Sequence, residues 1–136
     1  MESSFMRTDV VGRLAAIVLA LEGLAIMGLV VWQIWALVSG DTESIESAIA
    51  LVVLTFIGAF AVLAFAAATW LGLSWGRSGG IVTQLLVIAV AVGAMTGAYA
   101  HPSTGLALAV PAVVALVLLV IAVRRAGRDG KDAASD

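Results

Sequence analysis

The chain has 136 residues, of which 62% are hydrophobic and 12% are charged, and its mean hydropathy is +1.15. This composition lies far outside the range of soluble globular proteins and indicates that most of the chain belongs in lipid. Because there is no cysteine and only one histidine, a disulfide framework, a thiol nucleophile and a histidine-rich metal site within one chain are excluded. The formal net charge of −2 hides a strong segregation, because the basic residues are confined to a few places along the chain.

The first apolar run, residues 14–38, is long enough to cross a membrane as a helix. Its residues reach roughly 37 Å at about 1.5 Å each, whereas the hydrocarbon core of a bilayer is about 30 Å thick. The run contains one acidic residue, Glu22, which lies roughly 13 Å along the axis from Arg13. Alternating steps of four and three place Glu22 and Gln33 on one stripe, which we expect to face the interior of a bundle.

Two further apolar runs predict the second and third spans, at residues 48–73 and 81–99. The acidic loop 39–47 precedes the second span and offers Asp41, Thr42 and Ser44 as N-caps, and the loop 74–80 precedes the third. Small residues recur at four-residue intervals in both spans, which favours close helix packing. The expected packing residues are Ala64, Ala68 and Gly72 in the second span and Ala89, Gly93 and Gly97 in the third. The last two form a GxxxG match, which we expect to pack within the subunit rather than between subunits.

The fourth span covers residues 105–123, and the polar tail 126–136 has no hydrophobic periodicity, so it is predicted to be disordered. With the N-terminus in the cytoplasm, all the basic residues fall on one side of the membrane: Arg7, Arg13, Arg77, Arg124, Arg125, Arg128 and Lys131. The positive-inside rule therefore predicts that both termini are cytoplasmic and that the tail is cytoplasmic too. The predicted location is the inner (plasma) membrane of a bacterial cell.

Glu22 is the only ionisable residue inside a predicted span, and two interpretations of it remain open. A carboxyl at this depth can act as a proton or cation carrier, or it can hold the bundle together through a hydrogen bond to a neighbouring helix. Among the polar residues of the other spans, Thr69 and Gln84 lie nearest to its depth. The candidate proton or cation site is therefore Glu22, Gln33, Thr69 and Gln84.

The sequence contains no pattern typical of an enzyme. There is no P-loop, no HExxH and no dinucleotide-binding fingerprint, and Ser103 and His101 share one turn without a nucleophile–base arrangement. The acids Asp41, Glu43 and Glu46 lack the glycine turn and bidentate spacing of a calcium loop, and we expect them to form a solvated surface. We predict no catalytic residue, no metal site and no cofactor.

Two resemblances bear on function. A four-span chain with Glu22 in its first helix resembles the small multidrug resistance transporters, in which a first-helix glutamate binds protons and cationic drugs in turn. The chain also resembles, over most of its length, the uncharacterised small four-helix membrane proteins of high-GC Gram-positive bacteria. The residues that carry this second likeness are Ala20-Leu21-Glu22-Gly23, Trp75-Gly76-Arg77-Ser78 and Thr83-Gln84-Leu85-Leu86.

The sequence therefore predicts an all-α, polytopic membrane protein, a single domain of four transmembrane helices with both termini inside. The expected function is that of a non-enzymatic accessory or structural subunit, which packs against a larger membrane complex or against its own copies. A small proton-coupled transporter that uses Glu22 is the alternative. The expected partners are the lipid bilayer and other membrane subunits, and nucleic acid is not among them.

Overall fold

The computed structural model describes the backbone of residues 2–40, 42–98 and 100–135, together with the side chains from residue 10 to residue 128 except 41 and 99. In this part of the chain the secondary structure consists of four α-helices: α1 (Glu2–Val38), α2 (Ile45–Trp70), α3 (Ser74–Thr96) and α4 (Pro102–Ser135). Each contains a segment long and apolar enough to cross a membrane: Val10–Val38, Ile45–Trp70, Ser74–Thr96 and Pro102–Arg128. The prediction of an all-α chain with four such helices is confirmed.

The helices form an antiparallel bundle in which each helix packs against two neighbours, in the cyclic order α1, α2, α3, α4. Arg13 near the start of α1 lies over Trp70 at the end of α2, and Gly80 near the start of α3 lies against Leu119 toward the end of α4. We call this end of the bundle the basic end. It carries the described arginine side chains Arg13, Arg77, Arg124, Arg125 and Arg128. The opposite end, where Glu43 and Glu46 lie, is the acidic end.

The bundle core consists mainly of alanine. The buried alanines are Ala15, Ala16, Ala59, Ala66, Ala68, Ala91, Ala112, Ala115 and Ala122. Such small side chains let helix backbones approach one another closely. Leu19 and Leu119 are the largest fully buried apolar side chains, and they meet over Gly80, where an added Cβ would lie 3.0 Å from each. The core therefore depends on small residues that face a few large ones.

α2 begins earlier than predicted, because Ser44 acts as its N-cap. The Ser44 side chain accepts a hydrogen bond from the backbone N–H of Ser47 at 3.4 Å, which satisfies one of the free donors of the first turn. Ser44 is one of the three N-caps proposed from the sequence. Asp41, another of them, lies outside the described residues, as does Tyr99 at the end of the predicted third span.

The connection between α2 and α3 is much shorter than predicted, since only residues 71–73 separate the two helices. Gly72 has a φ of +76°, a left-handed conformation that glycine adopts without steric cost. Arg77 donates a hydrogen bond from Nη1 to the Gly72 carbonyl at 2.9 Å. The prediction that Gly72 packs on a face of the second helix is therefore wrong, because Gly72 forms the turn. Of its predicted companions, Ala68 is buried and Ala64 is half-buried.

The face of α3 that packs in the bundle also differs from the prediction. The buried residues of α3 are Gly76, Gly80, Gln84 and Ala91, whereas Ala89 and Gly93 are exposed. A Cβ added at Gly93 would have no atom within 4 Å apart from its own helix backbone, and one at Gly97 would meet only the Gly93 carbonyl. The prediction that Gly93 and Gly97 pack within the subunit is wrong. Their spacing indicates a smooth helix face but does not determine which face turns inward.

α4 continues as a helix to Ser135, although the sequence predicts disorder from Ala126. Extending a helix that has already formed adds one hydrogen bond for each residue fixed, so polar residues without hydrophobic periodicity can still continue it. The alanine and arginine residues in this segment have high helix propensity. Asp136 lies outside the described residues.

Candidate functional site: a glutamate–glutamine pair across the bundle

The central polar contact joins Glu22 of α1 to Gln84 of α3. Gln84 donates a hydrogen bond from Nε2 to Glu22 Oε2 at 2.6 Å. α1 and α3 are diagonal to each other, because each has α2 and α4 as its neighbours. The hydrogen bond therefore crosses the middle of the bundle. Gln84 is 0% exposed and Glu22 is half-buried.

Small residues on α3 make this contact possible. Gly76 lies two turns before Gln84, and an added Cβ there would be 2.6 Å from both Ala68 Cβ and the Thr69 backbone nitrogen. Gly80 lies one turn before Gln84 and accommodates Leu19 of α1. Because Gly76 and Gly80 have no side chains on the face that leads to Gln84, α3 approaches its neighbours closely there, and the Gln84 amide reaches a carboxyl on the diagonal helix.

The pair lies well inside the apolar part of the bundle. Glu22 is nine residues from Arg13 on α1, and Gln84 is seven residues from Arg77 on α3. These separations correspond to roughly 13 Å and 10 Å along the helix axes. Both residues are therefore in the half of the bundle nearer the basic end.

The structure brings together two of the four residues predicted to share a site. Thr69 lies beside Gly76, two turns or about 12 Å from Gln84 toward the basic end. Gln33 lies eleven residues beyond Glu22, about 16 Å toward the acidic end. Within the described part of the chain, Gln33 Oε1, Thr69 Oγ1 and Gln84 Oε1 are buried and have no hydrogen-bond partner. Glu22 and Gln84 thus form the site, and the other two residues lie above and below it.

A carboxyl paired with an amide in this position can serve two chemical purposes. It can hold α1 and α3 in a fixed register, because breaking the hydrogen bond would leave both polar groups unpaired away from water, at a cost in free energy. It can also exchange a proton or attract a cation if water or an ion reaches it.

Two aromatic contacts lie near the basic end and were not predicted from the sequence. The Arg13 guanidinium carbon lies 5.0 Å from the centre of the Trp70 ring, a distance typical of a cation–π interaction. The Phe65 and Trp75 rings meet edge to face with their centres 6.1 Å apart. The sequence contains one signal for the first contact, because an arginine and a tryptophan lie near the same end of adjacent antiparallel spans.

Two apolar grooves open on the sides of the bundle. The groove between α2 and α3 has a volume of about 540 Å³ and extends from Phe65 and Gly79 to Val90. The groove between α1 and α2 has a volume of about 370 Å³ and lies between Ala16 and Trp70. Neither groove is lined by Glu22 or Gln84, so the polar pair is separate from both.

No protein-family model matches the chain, and no curated protein or solved structure matches it at a significant level. The likenesses to small multidrug resistance transporters and to small four-helix proteins of high-GC Gram-positive bacteria stay predictions.

Proposed function

We propose that the protein is a multi-pass protein of a bacterial plasma membrane, with both termini in the cytoplasm, and that it acts as a non-enzymatic accessory or structural subunit. The observation that carries this proposal is the hydrogen bond between Glu22 and Gln84 inside the bundle. It supports a structural role for the one acidic residue in the core. The partner would be a larger membrane complex or further copies of the chain.

The surroundings of Glu22 support a structural role over a carrier role. Its carboxyl is engaged by a fully buried amide, in a core built mainly of alanine. Whether the Glu22 carboxyl is charged or neutral, a short hydrogen bond in such a core favours one helix register over others.

The burial of α2 supports a role in assembly. In the most apolar part of α2, 11% of the residues are buried within the chain, compared with 28% in α1. Large side chains on the exposed surface of α2 include Leu54, Ile57 and Phe60. Lipid tails can cover such a face. The helix of another subunit can also cover it, because a flat apolar surface with nearby small residues allows helices to pack closely.

The alternative is a small proton-coupled transporter that uses Glu22, and one observation favours it. Gln84 Oε1 lies in the same amide that holds Glu22, and it has no described hydrogen-bond donor. Together, this oxygen and the half-buried carboxyl offer acceptors to a water molecule or a cation. A transporter would require Glu22 to release Gln84 during its cycle.

Glu22→Gln distinguishes the two functions, because glutamine keeps the size and hydrogen-bonding capacity of the side chain but cannot titrate. We expect wild type and Glu22→Gln to show no proton flux in liposomes loaded with a pH-sensitive dye and to co-purify with the same membrane subunits. Glu43→Gln, at the exposed acidic end, is the matched control. Proton flux in wild type and Glu43→Gln that is lost in Glu22→Gln would establish the transporter instead.

The orientation is tested by labelling single cysteines, since the natural chain has none. We expect a membrane-impermeant thiol reagent to label Glu43→Cys in intact cells but to label Ser78→Cys only after lysis, because the basic end should face the cytoplasm. Both positions are exposed, and Glu43→Cys leaves the Ser44 cap intact. Labelling of Ser78→Cys alone in intact cells would reverse the proposed topology.

A further inference from the structure

The groove between α1 and α2 is apolar and lies near a positively charged residue, Arg13. Ala16 and Ala20 of α1 and Leu63 and Ala67 of α2 contribute to its walls, and Trp70 lies at its basic end. Its volume of about 370 Å³ falls in the range of small-molecule sites, which is about 300–1,000 Å³. The walls are apolar throughout their length, so the occupant of the channel must be apolar too.

Arg13 lies beside Trp70, one of the residues that line this groove. Its guanidinium carbon is 5.0 Å from the centre of the Trp70 ring, and it precedes Ala16 on α1 by about one helical turn. A guanidinium has five N–H donors in a planar arrangement that suits phosphate oxygens, so Arg13 can bind a phosphate while it keeps other contacts. Arg13 therefore places a positive charge near an apolar groove, and this charge favours a headgroup with a net negative charge over a zwitterionic one.

We propose that this groove binds a phospholipid with an anionic headgroup, which lays one acyl chain between α1 and α2 and places its phosphate on Arg13. This inference rests on the proposed insertion into a membrane. The charge of Arg13 complements an anionic headgroup, which favours a lipid over an apolar partner helix.

The α2–α3 groove provides the natural comparison. The arginine near the start of α3, Arg77, donates its Nη1 hydrogen bond to the Gly72 carbonyl and so fastens the turn. Arg77 lies at the same end of the bundle as Arg13 and carries the same charge. Arg77 does not line the α1–α2 groove, so replacing it changes the general electrostatics of the basic end without removing a residue of the groove, which makes it a control for charge.

The test uses the full chain with Trp70 as its only tryptophan, obtained by changing Trp32, Trp35 and Trp75 to phenylalanine. Trp70 is 47% exposed, so brominated acyl chains beside it will quench its fluorescence. The protein is reconstituted in phosphatidylcholine with a small, equal fraction of either brominated phosphatidylglycerol or brominated phosphatidylcholine. We expect the anionic lipid to associate about fivefold more strongly than the neutral one, as one basic contact at a membrane surface provides.

Arg13→Gln should abolish this preference, Arg77→Gln should retain it, and Ala67→Leu should reduce quenching by both brominated lipids because it fills the groove. Equal quenching of the Arg13-containing protein by the two lipids would overturn the lipid site while leaving membrane insertion in place. An equal loss in Arg13→Gln and Arg77→Gln would overturn it as well. Absence of quenching by either lipid would overturn both this site and insertion.

The wild-type chain gives a second measurement that does not depend on the tryptophan replacements. Native mass spectrometry of protein released from mixed phosphatidylglycerol and phosphatidylcholine should show one retained phosphatidylglycerol. The retained lipid should be absent from Arg13→Gln and present in Arg77→Gln. Retention of phosphatidylcholine at the same level as phosphatidylglycerol would contradict the proposal.

Discussion

Gln84→Leu is expected to lower the free energy of unfolding by about 1–3 kcal/mol, although leucine is apolar and similar in size. The substitution removes the amide that donates to Glu22 Oε2 at 2.6 Å and leaves a carboxyl in the core without its partner. An unsatisfied polar group costs more than the hydrogen bond itself contributes, because water does not replace the missing donor. Unfolding in mixed detergent, followed by circular dichroism, measures the difference.

A double-mutant cycle isolates the pair. Glu22→Leu alone should also destabilise the bundle, since it leaves the buried Gln84 amide unpaired, whereas Glu22→Leu combined with Gln84→Leu should be closer to wild type than either single variant. Gln33→Leu is the matched control, because Gln33 has no described hydrogen bond on its buried Oε1, and it should change stability little. Strictly additive effects at Glu22 and Gln84 would contradict a direct interaction between them.

Gly76→Leu is expected to destabilise the bundle by about 1–3 kcal/mol through overpacking. Even the first side-chain atom would lie 2.6 Å from the Thr69 backbone nitrogen and 2.8 Å from the Ala68 carbonyl carbon. Backbone atoms cannot move aside as the end of a flexible side chain can, so α2 and α3 would have to separate. The melting temperature in detergent reports the loss.

Gly93→Leu on the same helix is the control for this substitution. A Cβ at Gly93 meets open space, so the added leucine should leave the melting temperature unchanged or raise it slightly. If Gly93→Leu were as destabilising as Gly76→Leu, the assignment of the inward face of α3 would be wrong. If Gly76→Leu were harmless, the close approach of α2 and α3 would be wrong.

The number and type of helices could be predicted from the sequence because four long apolar runs leave few alternatives. The inward direction of Glu22 could also be predicted from helical spacing, and Ala15 and Leu19, which lie seven and three residues before it on the same face, are fully buried. The stripe does not extend the full length of α1, where Val30 is buried and Leu29 is exposed. A pattern with a strict seven-residue period drifts by about 20° per heptad relative to a straight helix, and the inward face rotates accordingly.

The orientation of α3 could not be read from small residues, which are abundant on every side of it. Gly93 and Gly97 match a packing motif, yet the buried face contains Gly76, Gly80 and Gln84. Gln84 was the better guide, because a polar side chain in an apolar helix tends to turn inward. Whether Gln84 or Thr69 meets Glu22 depends on how far along the bundle axis each of them lies relative to Glu22. Sequence distances along one chain do not give this relative position of two diagonal helices.

The three-residue turn between α2 and α3 restricts how these helices can move. Even if residues 71–73 were fully extended, the Cα atoms of Trp70 and Ser74 could separate by no more than about 14 Å, and the bond from Arg77 to the Gly72 carbonyl holds the turn closed. At the acidic end α2 and α3 are not connected to each other, because residues 39–44 join α1 to α2 and residues 97–101 join α3 to α4. The short turn therefore favours a separation of α2 and α3 that pivots near Gly72. Any widening of the groove between them is greatest at its acidic end, and a molecule that enters from the side meets the broader opening there.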